Sequence, residues 1–329
     1  MKKQRLLAGL SALSVALLAA GCSSTGAGSD DESSGSDGPY IAMVAKGFSQ
    51  SYWVSVNQGA SDAAAALGAT VSFTGPDTDS QVDKQATLLQ NAIDKSPDAV
   101  AVAPLDEAAL IPVLQNAADA DIPVLAFDTG FTETDIPAAT IATDNYAAGQ
   151  EAAKHFVELT GGTGKFAVVA HSETDATSTD RRDGFLDYIE ENAPGLTLAG
   201  SVQYSNADQA IAENLATTVL QANPDLVGIF ATNEASVTGA ATAVEAAQQE
   251  GRDVVLVGFD SGKAQQEYVR SGVIAGSVSQ NPYQIGYKTI ETAVALLAGQ
   301  TVDTAVDSGF LWYDASNIDE DEIQQALYE

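Results

Sequence analysis

The feature that most constrains the fold is an alternation of short apolar runs with longer amphipathic stretches. In a first series the apolar runs are residues 41–45, 71–74, 99–103 and 124–127, and the stretches are 51–67, 82–95 and 108–120. In a second series the runs are 166–170, 198–203, 226–231, 254–257 and 275–278, and the stretches are 180–192, 208–222, 234–249 and 263–271. This alternation is typical of βαβ units, so it predicts two doubly wound α/β lobes, each with a parallel sheet.

Residues 1–21 have the composition of an export signal. Three basic residues precede an apolar run over residues 6–20, which is too short to span a membrane and is followed at once by Gly21 and Cys22. Residues 18–22 resemble the lipobox of bacterial lipoproteins, which implies a lipid on the Cys22 sulfur and a location at the extracytoplasmic face of the cell membrane. Cys22 is the only cysteine in the sequence, so an internal disulfide is excluded.

Residues 22–38 are rich in Ser, Gly and Asp and contain too little apolar material to fold, which predicts a flexible tether. Without the leader the chain carries 11 Lys and Arg against 45 Asp and Glu, a net charge of −34. Such an acidic chain without a basic stripe is not expected to bind nucleic acid. The charge favours solubility and a monomer, and it is compatible with a salty environment.

Polar side chains gather where the predicted strands end. In an open parallel sheet, ligands bind beyond the carboxyl ends of the strands. The residues at these positions are mostly amides, carboxylates, hydroxyls and aromatics, and few of them make or break covalent bonds. The sequence therefore favours a binding protein over an enzyme, with no cofactor and no metal.

The strand ends match a known family in their order and spacing. The matching segments are Ser51-Tyr52-Trp53 with Gly59-Ala60, Pro123 to Asp128, Thr143-Asp144-Asn145 with Gly149, Arg181 to Phe185, Phe230 to Glu234, Val257 to Asp260, and Ser279 to Pro282. Over residues 40–313 the chain resembles the type I periplasmic sugar-binding proteins of the ribose and galactose kind, the solute receptors of ABC importers.

The resemblance implies how the lobes are assembled and what they do. Three crossings near residues 144, 280 and 309 would form a hinge between the lobes. The N-terminal lobe would comprise residues 39–143 and 281–309, and the C-terminal lobe residues 144–280 and 310–329. The protein would bind a sugar or sugar alcohol in the cleft and deliver it to an ABC permease, and through it to the ATPase.

The resemblance also implies which side chains contact the ligand. They are Gln50, Tyr52, Trp53, Asp128, Asn233, Asp260 and Gln280. Aromatic rings suit the C–H faces of a sugar, and carboxylates and amides suit its hydroxyls. Trp53 is the preferred aromatic face, although packing in the lobe core is the alternative for both rings. Asn233 has the alternative role of capping a helix, and either aspartate that of capping a turn.

Departures from the family pattern bear on the ligand. Thr129 and Thr179 stand where arginines are common, and Lys46 stands where a small polar residue is common. The position of the expected second-lobe aromatic is occupied by Ala207, which leaves Tyr204 or Asn206 as its substitute. Ribose itself is therefore not the expected ligand. A related sugar, a polyol or a sugar acid remains open, because Lys46 has three possible partners besides solvent: a ligand hydroxyl, a ligand carboxylate, or one of the cleft aspartates.

Two signals that suggest catalysis have simpler explanations. Residues 161–165 read Gly-Gly-Thr-Gly-Lys, but they precede a strand and lack the following Ser or Thr of a phosphate loop, so a turn is predicted. The only histidines, His155 and His171, are too few for a metal site, although His171 lies at a strand end near the cleft. The alternatives are a sensory receptor for the same ligand and, more remotely, a glycoside-cleaving enzyme that uses Asp128 and Asp260.

Overall fold

The fold is given by a computed structural model that describes residues 38–48, 51–78, 81–324 and 326–328. Its strands are β1 (Tyr40–Val44), β2 (Thr70–Thr74), β3 (Ala99–Val102), β4 (Val124–Phe127), β5 (Thr140–Ala142), β6 (Thr163–Ala170), β7 (Gly195–Leu198), β8 (Gln203–Tyr204), β9 (Leu226–Ala231), β10 (Val255–Phe259), β11 (Gly276–Gln280), β12 (Ala305–Asp307) and β13 (Phe310–Tyr313). The helices are α1 (Ser51–Leu67), α2 (Val82–Ile93), α3 (Glu107–Asp119), α4 (Asn145–Thr160), α5 (Ala176–Asn192), α6 (Gln209–Ala222), α7 (Glu234–Gln249), α8 (Lys263–Ser271), α9 (Pro282–Leu297) and α10 (Asp321–Gln324).

The strands form two sheets, one in each lobe. The N-terminal sheet has the order β12-β5-β4-β3-β1-β2, and all its pairs are parallel. The C-terminal sheet has the order β13-β11-β10-β9-β6-β7, with β8 also paired to β6, and only β13 is antiparallel to its neighbour. The predicted class, an α/β fold with two doubly wound parallel lobes, is confirmed.

Apolar residues cover both faces of each sheet. In β1, Ile41 and Met43 pack in one core cluster, while Ala42 and Val44 pack in the cluster on the opposite face. A strand buried on both sides needs an unbroken apolar run, which explains why the strands were visible in the sequence.

The chain passes between the two sheets three times: after β5, between β11 and α9, and between β12 and β13. The first and third crossings lie side by side, since the hydroxyls of Thr143 and Ser308 are 3.3 Å apart. The third crossing turns at Gly309, which has a φ of +81°. These three segments connect the lobes and lie at the base of the cleft.

In each lobe a pair of closely packed helices flanks the hinge: α1 with α9 in the N-terminal lobe, and α4 with α5 in the C-terminal lobe. A Cβ on Gly59 of α1 would lie 2.0 Å from the Tyr283 carbonyl oxygen, and one on Gly286 of α9 would lie 1.9 Å from that of Val56. Gly149 of α4 is equally close to α5, since its Cβ would lie 2.3 Å from the Arg181 carbonyl oxygen. Any larger residue would force these helices apart, which explains glycine at these positions.

Some local predictions were wrong. The predicted strand at residues 198–203 is two strands, β7 and β8, because Gly200 adopts a φ of +83° between them. Helix α5 begins at Ala176 rather than at residue 180, since Asp175 caps it by accepting a hydrogen bond from the Ser178 amide. The predicted turn at residues 161–165 holds only for Gly161 and Gly162, because β6 already begins at Thr163.

Within the described residues, none of the helices combines the length and the apolar character that crossing a bilayer requires. Those residues also contain no cluster of three or more histidine, cysteine, aspartate or glutamate side chains arranged to hold a metal ion. Cys22, the leader and most of the predicted tether lie outside the described residues, as does Gln50.

Candidate functional site

Two Phe-Asp pairs end corresponding strands of the two sheets. Asp128 follows Phe127 of β4, and Asp260 follows Phe259 of β10. Both aspartates have left-handed backbones, with φ values of +64° and +75°, and both donate their amide to a carbonyl of the neighbouring strand at 2.8 Å. A left-handed conformation costs a non-glycine residue about 1–2 kcal/mol, although aspartate tolerates it better than most. Such strain concentrates at functional sites.

The Asp128 carboxylate is held by groups of its own lobe. Its Oδ1 accepts a hydrogen bond from the Tyr52 hydroxyl at 2.6 Å, and its Oδ2 lies 3.0 Å from the Lys46 ammonium. Thr129 donates to Oδ2 at 3.1 Å and accepts from Lys46. Burial, followed by the Asp128 charge, raises the pKa of Tyr52 well above its ordinary value, so this hydroxyl keeps its proton. Lys46, Tyr52, Asp128 and Thr129 therefore form one cluster.

Lys46 also reaches across the cleft. Its ammonium lies 3.6 Å from Asp175, the residue that caps α5 in the opposite lobe. Burial opposes ionisation of Asp175, but Lys46 and a hydrogen bond from His171 outweigh it and hold its pKa below the ordinary value. The sequence left several partners open for Lys46, and the structure pairs it with two aspartates. Asp128 was among the predicted partners, whereas Asp175 was not predicted.

His171 lies beside Asp175 and is almost fully buried. Its Nδ1 is 2.8 Å from the Thr232 hydroxyl, and its Nε2 is 3.4 Å from Asp175. Burial lowers the pKa of His171, so at neutral pH the ring is uncharged and acts as a hydrogen-bonding support. His171 thus fixes the position of a carboxylate at the cleft.

The Asp260 carboxylate is held by its own lobe and by the hinge. Its Oδ1 accepts from the side-chain amide of Gln280 at 2.8 Å, and its Oδ2 accepts from the Glu234 backbone amide at 3.0 Å. The Arg181 guanidinium is 3.9 Å from Oδ2. A carboxylate at the N-terminus of α7 interacts favourably with the helix dipole.

Arg181 is 3% exposed and connects several elements behind Asp260. It donates to Asn145 at 2.8 Å and to the Thr232 carbonyl at 2.9 Å, and it lies 3.7 Å above the Phe259 ring. The sequence named Arg181 only as part of a matching segment. Its position on the inner side of α5, four residues before the buried Phe185, was the available signal for a buried cation.

Glu234 brings another carboxylate to the same edge of the sheet. Burial, followed by the Asp260 charge, raises its pKa to about 7. Among the described residues its carboxylate has no hydrogen-bond or ion-pair partner, whereas its backbone amide holds Asp260. In the sequence, Glu234 was named only as the start of a helix and as the end of a matching segment, not as a site residue.

The cluster around Asp128 and the groups around Asp260 meet through Tyr52 and Gln280. The Tyr52 hydroxyl, which donates to Asp128, lies 3.3 Å from the Gln280 Oε1, and the amide nitrogen of Gln280 donates to Asp260. A chain of polar contacts therefore runs from the N-terminal lobe through the hinge to the C-terminal lobe. Six predicted residues are brought together here: Lys46, Tyr52, Asp128, Thr129, Asp260 and Gln280.

The other predicted residues take different positions. Trp53 is 3% exposed and packs edge-on against Phe127 in the lobe core, so the structure favours the core alternative over a ligand-facing ring. Asn233 caps α7 by accepting from the Ser236 amide, which was its alternative role. The Thr179 hydroxyl donates within its own helix, to the Ala176 carbonyl. Asn206 is an exposed turn residue with a φ of +54°.

Comparisons with known proteins agree with the fold. Residues 41–301 match the model of a family described as periplasmic binding protein domain. The D-apiose import binding protein of Actinobacillus succinogenes is 28% identical over 73% of this chain and 74% of its own length.

Solved structures are similar over nearly their whole length. An ABC transporter solute-binding protein of Agrobacterium vitis with bound D-fucose is 35% identical, with a TM-score of 0.80 over 88% of this chain and 100% of its own. A second from the same organism, bound to α-D-tagatopyranose, is 31% identical, with a TM-score of 0.82 over 88% and 99% of the two chains. This chain therefore belongs to the periplasmic binding protein family, in the type I sugar-binding class of ABC transporter solute-binding proteins.

Proposed function

We propose that this chain is the lipid-anchored solute-binding protein of an ABC importer, and that it captures a neutral sugar or sugar alcohol between its lobes. The observation that carries the proposal is the polar chain from Asp128 through Tyr52 and Gln280 to Asp260. It joins acceptors from both lobes at the hinge, so a ligand bound beside it contacts both lobes at once. Such contacts stabilise the closed state.

The chemistry of the site favours a ligand that donates hydrogen bonds. The Tyr52 hydroxyl has one proton for two nearby acceptors, Asp128 and Gln280, and the shorter contact is to Asp128. Glu234 adds a carboxylate without a hydrogen-bond partner among the described residues. A polyol supplies several O–H donors, and hydrogen bonds to charged acceptors are about twice as strong as neutral ones.

The same charges disfavour a sugar acid. Both nearby cations are already paired: Lys46 with Asp128 and Asp175, and Arg181 with polar groups next to Asp260. A carboxylate on the ligand would meet the aspartates and Glu234 without a cation of its own. The sugar acid left open by the sequence is therefore not part of the proposal.

Binding is tested by titration calorimetry against pentoses, hexoses, 6-deoxyhexoses, ketohexoses, alditols and inositols, with hexuronates as the acidic comparison. We expect a neutral ligand with a dissociation constant in the micromolar range or below, and uronates weaker by at least tenfold. Asp128→Asn and Asp260→Asn should each weaken that ligand by about 10–100-fold, since each removes a charged acceptor. Asp119→Asn, on the exposed side of α3, is the matched control. A panel without any binder would refute the proposal.

Anchoring and delivery need separate tests. The basic residues, the apolar run and the small residues before Cys22 support lipidation, so Cys22→Ala should move the protein from the membrane fraction to the soluble fraction of a lipoprotein-processing host. Uptake of the labelled ligand should be lost in cells that lack this protein and restored by the full chain. Binding without any effect on uptake would favour the sensory receptor instead.

A further inference from the structure

The segment after β13 returns to the binding site. Residues 314–324 and 326–328 follow the part of the chain that matches the family model, which ends at residue 301. Ile318, Ile323 and Leu327 pack on the core of the C-terminal lobe. The Ala326 carbonyl accepts from Ser279 at 3.4 Å, and the Tyr328 carbonyl accepts from the buried Gln266 side chain at 3.1 Å. The segment is thus attached to the lobe by both apolar and polar contacts.

The attachment brings Tyr328 beside Asp260. Its hydroxyl accepts a hydrogen bond from the amide of Ser261, the residue that follows Asp260, at 3.3 Å. The side chain is 5% exposed. Burial raises the pKa of Tyr328, and the charges of Asp260 and Glu234 raise it further. Tyr328 therefore stays neutral and lies within the electrostatic reach of two site carboxylates.

The Tyr328 ring also meets the opposite lobe. It contacts Tyr52 edge-on, with ring centroids 5.5 Å apart and an angle of 80° between the planes. Tyr52 is the residue whose hydroxyl connects Asp128 with Gln280. Tyr328 thus extends from the backbone next to Asp260 to the ring of Tyr52, which places it along the same hinge side of the cleft as the polar chain.

We propose that Tyr328 is a specificity-determining residue that limits the size of the sugar in the cleft, an inference that rests on the proposed function. A ring fixed at its hydroxyl, at its backbone and by a segment packed on the core is a rigid boundary. It excludes a substituent by occupying volume, without forming a hydrogen bond that the sugar itself needs. In a fixed apolar boundary, one added carbon changes affinity by about 10–200-fold.

Three homologous sugar pairs measure this boundary directly: D-ribose with D-allose, D-xylose with D-glucose, and L-arabinose with D-galactose. Within each pair the pyranose ring has the same stereochemistry, and the larger sugar adds only a hydroxymethyl group. The pair that contains the tightest ligand of the wild-type protein is measured in each variant by calorimetry, together with the disaccharide that extends its larger member, such as lactose for galactose.

Tyr328→Ala should shift the affinity ratio within the pair at least tenfold toward the larger sugar. The ratio between the disaccharide and that larger sugar should shift at least tenfold toward the disaccharide. Tyr328→Phe should keep both ratios within threefold of wild type, because only the 3.3 Å contact to Ser261 is lost. Leu327→Ala is the matched control, since it loosens the same segment without shortening the ring. If Tyr328→Ala does not fold, Tyr328→Leu should still shift the ratio at least about fivefold, beyond the threefold range allowed for Tyr328→Phe.

Each outcome bears on a different claim. Unchanged ratios in Tyr328→Ala or Tyr328→Leu would overturn the assignment, including the case in which all affinities fall equally, because a merely structural residue would act on every ligand alike. An equal shift in Leu327→Ala would overturn it as well. A wild-type protein that binds none of the sugars and polyols in the calorimetry panel of the proposed function would instead refute that function.

Discussion

The two aspartates of the cleft occupy the same local structure but are supported in different ways. Each follows a phenylalanine, adopts a left-handed backbone and bonds to the next strand. Behind Asp128 the phenylalanine packs against another aromatic ring, Trp53, and the charge is balanced by Lys46 in the cleft. Behind Asp260 the phenylalanine packs against the Arg181 guanidinium, which is itself buried.

The difference separates two tasks. In the N-terminal lobe, Phe127 is supported by an apolar ring. The cation of this lobe, Lys46, faces the other lobe, so its contact with Asp175 depends on whether the lobes are open or closed. In the C-terminal lobe the cation is part of the framework and is satisfied by Asn145 and Thr232. We therefore expect Arg181 to contribute mainly to stability and Lys46 mainly to closure.

The largest expected effect is the loss of the buried guanidinium. Arg181→Met should lower the free energy of unfolding by about 3–5 kcal/mol, because it leaves Asn145 and the Thr232 carbonyl without their donor and removes the cation near Asp260. Chemical denaturation measures this. Arg270→Met removes an exposed pair with Asp319 and should cost less than about 1 kcal/mol. Equal effects of the two substitutions would contradict a framework role for Arg181.

The next effect tests the apolar support of the N-terminal lobe. Trp53→Leu should lower stability by about 2–4 kcal/mol, since it leaves a cavity against Phe127, while changing ligand affinity less than about fivefold. Tyr52→Phe, one residue earlier, should do the opposite: it keeps the ring but removes the hydroxyl on Asp128, so affinity falls about tenfold. A larger affinity loss in Trp53→Leu than in Tyr52→Phe would restore Trp53 as the ligand-facing ring.

These neighbours illustrate what the sequence could predict. The apolar runs fixed the strands because a parallel sheet is buried on both faces, and polar residues at their ends located Asp128 and Asp260. Which of Tyr52 and Trp53 faces the core was not decided by composition, since both are large aromatic residues at the start of a helix. It depends on the rotation of α1, which is set by its close contact with α9, more than 200 residues later.

The contacts missed in the sequence are also long-range. Asp175 pairs with Lys46, and Tyr328 contacts Tyr52, in each case from the other lobe. The strands β5, β12 and β13 at the hinge were missed. β5 and β12 have only three residues, too few to show a periodic pattern, and β13 is an antiparallel edge strand outside the βαβ alternation. Pairings between distant segments depend on how the lobes close, which local patterns do not encode.

Glu234 gives the C-terminal site a pH dependence. Its pKa is about 7 in the folded chain and 4.5 in the unfolded reference, so the charged form is disfavoured by folding. The contribution to stability is full below pH 4.5 and is lost as pH rises through about 7. Glu234→Gln should therefore stabilise the protein at pH 8 by up to about 3 kcal/mol, with the gain shrinking toward pH 4.5.

Urea denaturation of both proteins at several pH values measures this gain. Glu250→Gln, at the exposed end of α7, is the control and should show no comparable trend. A constant difference between Glu234→Gln and wild type at all pH values would mean that the carboxyl group titrates normally and that the C-terminal site is not strained by it.

The smallest expected effect isolates the charge that faces both lobes. Lys46 is 3.0 Å from Asp128 in its own lobe and 3.6 Å from Asp175 in the other. A double-mutant cycle with Lys46→Met and Asp175→Asn should give a coupling of about 1 kcal/mol in sugar binding, because the two residues belong to opposite lobes and their contact depends on how far the lobes close. A second cycle, with Lys46→Met and Asp128→Asn, should show a coupling in the unliganded protein as well, measured through the free energy of unfolding. If the Asp175 coupling were equally large without ligand, the unliganded lobes would already be closed, and Lys46 would hold the cleft shut rather than respond to the sugar.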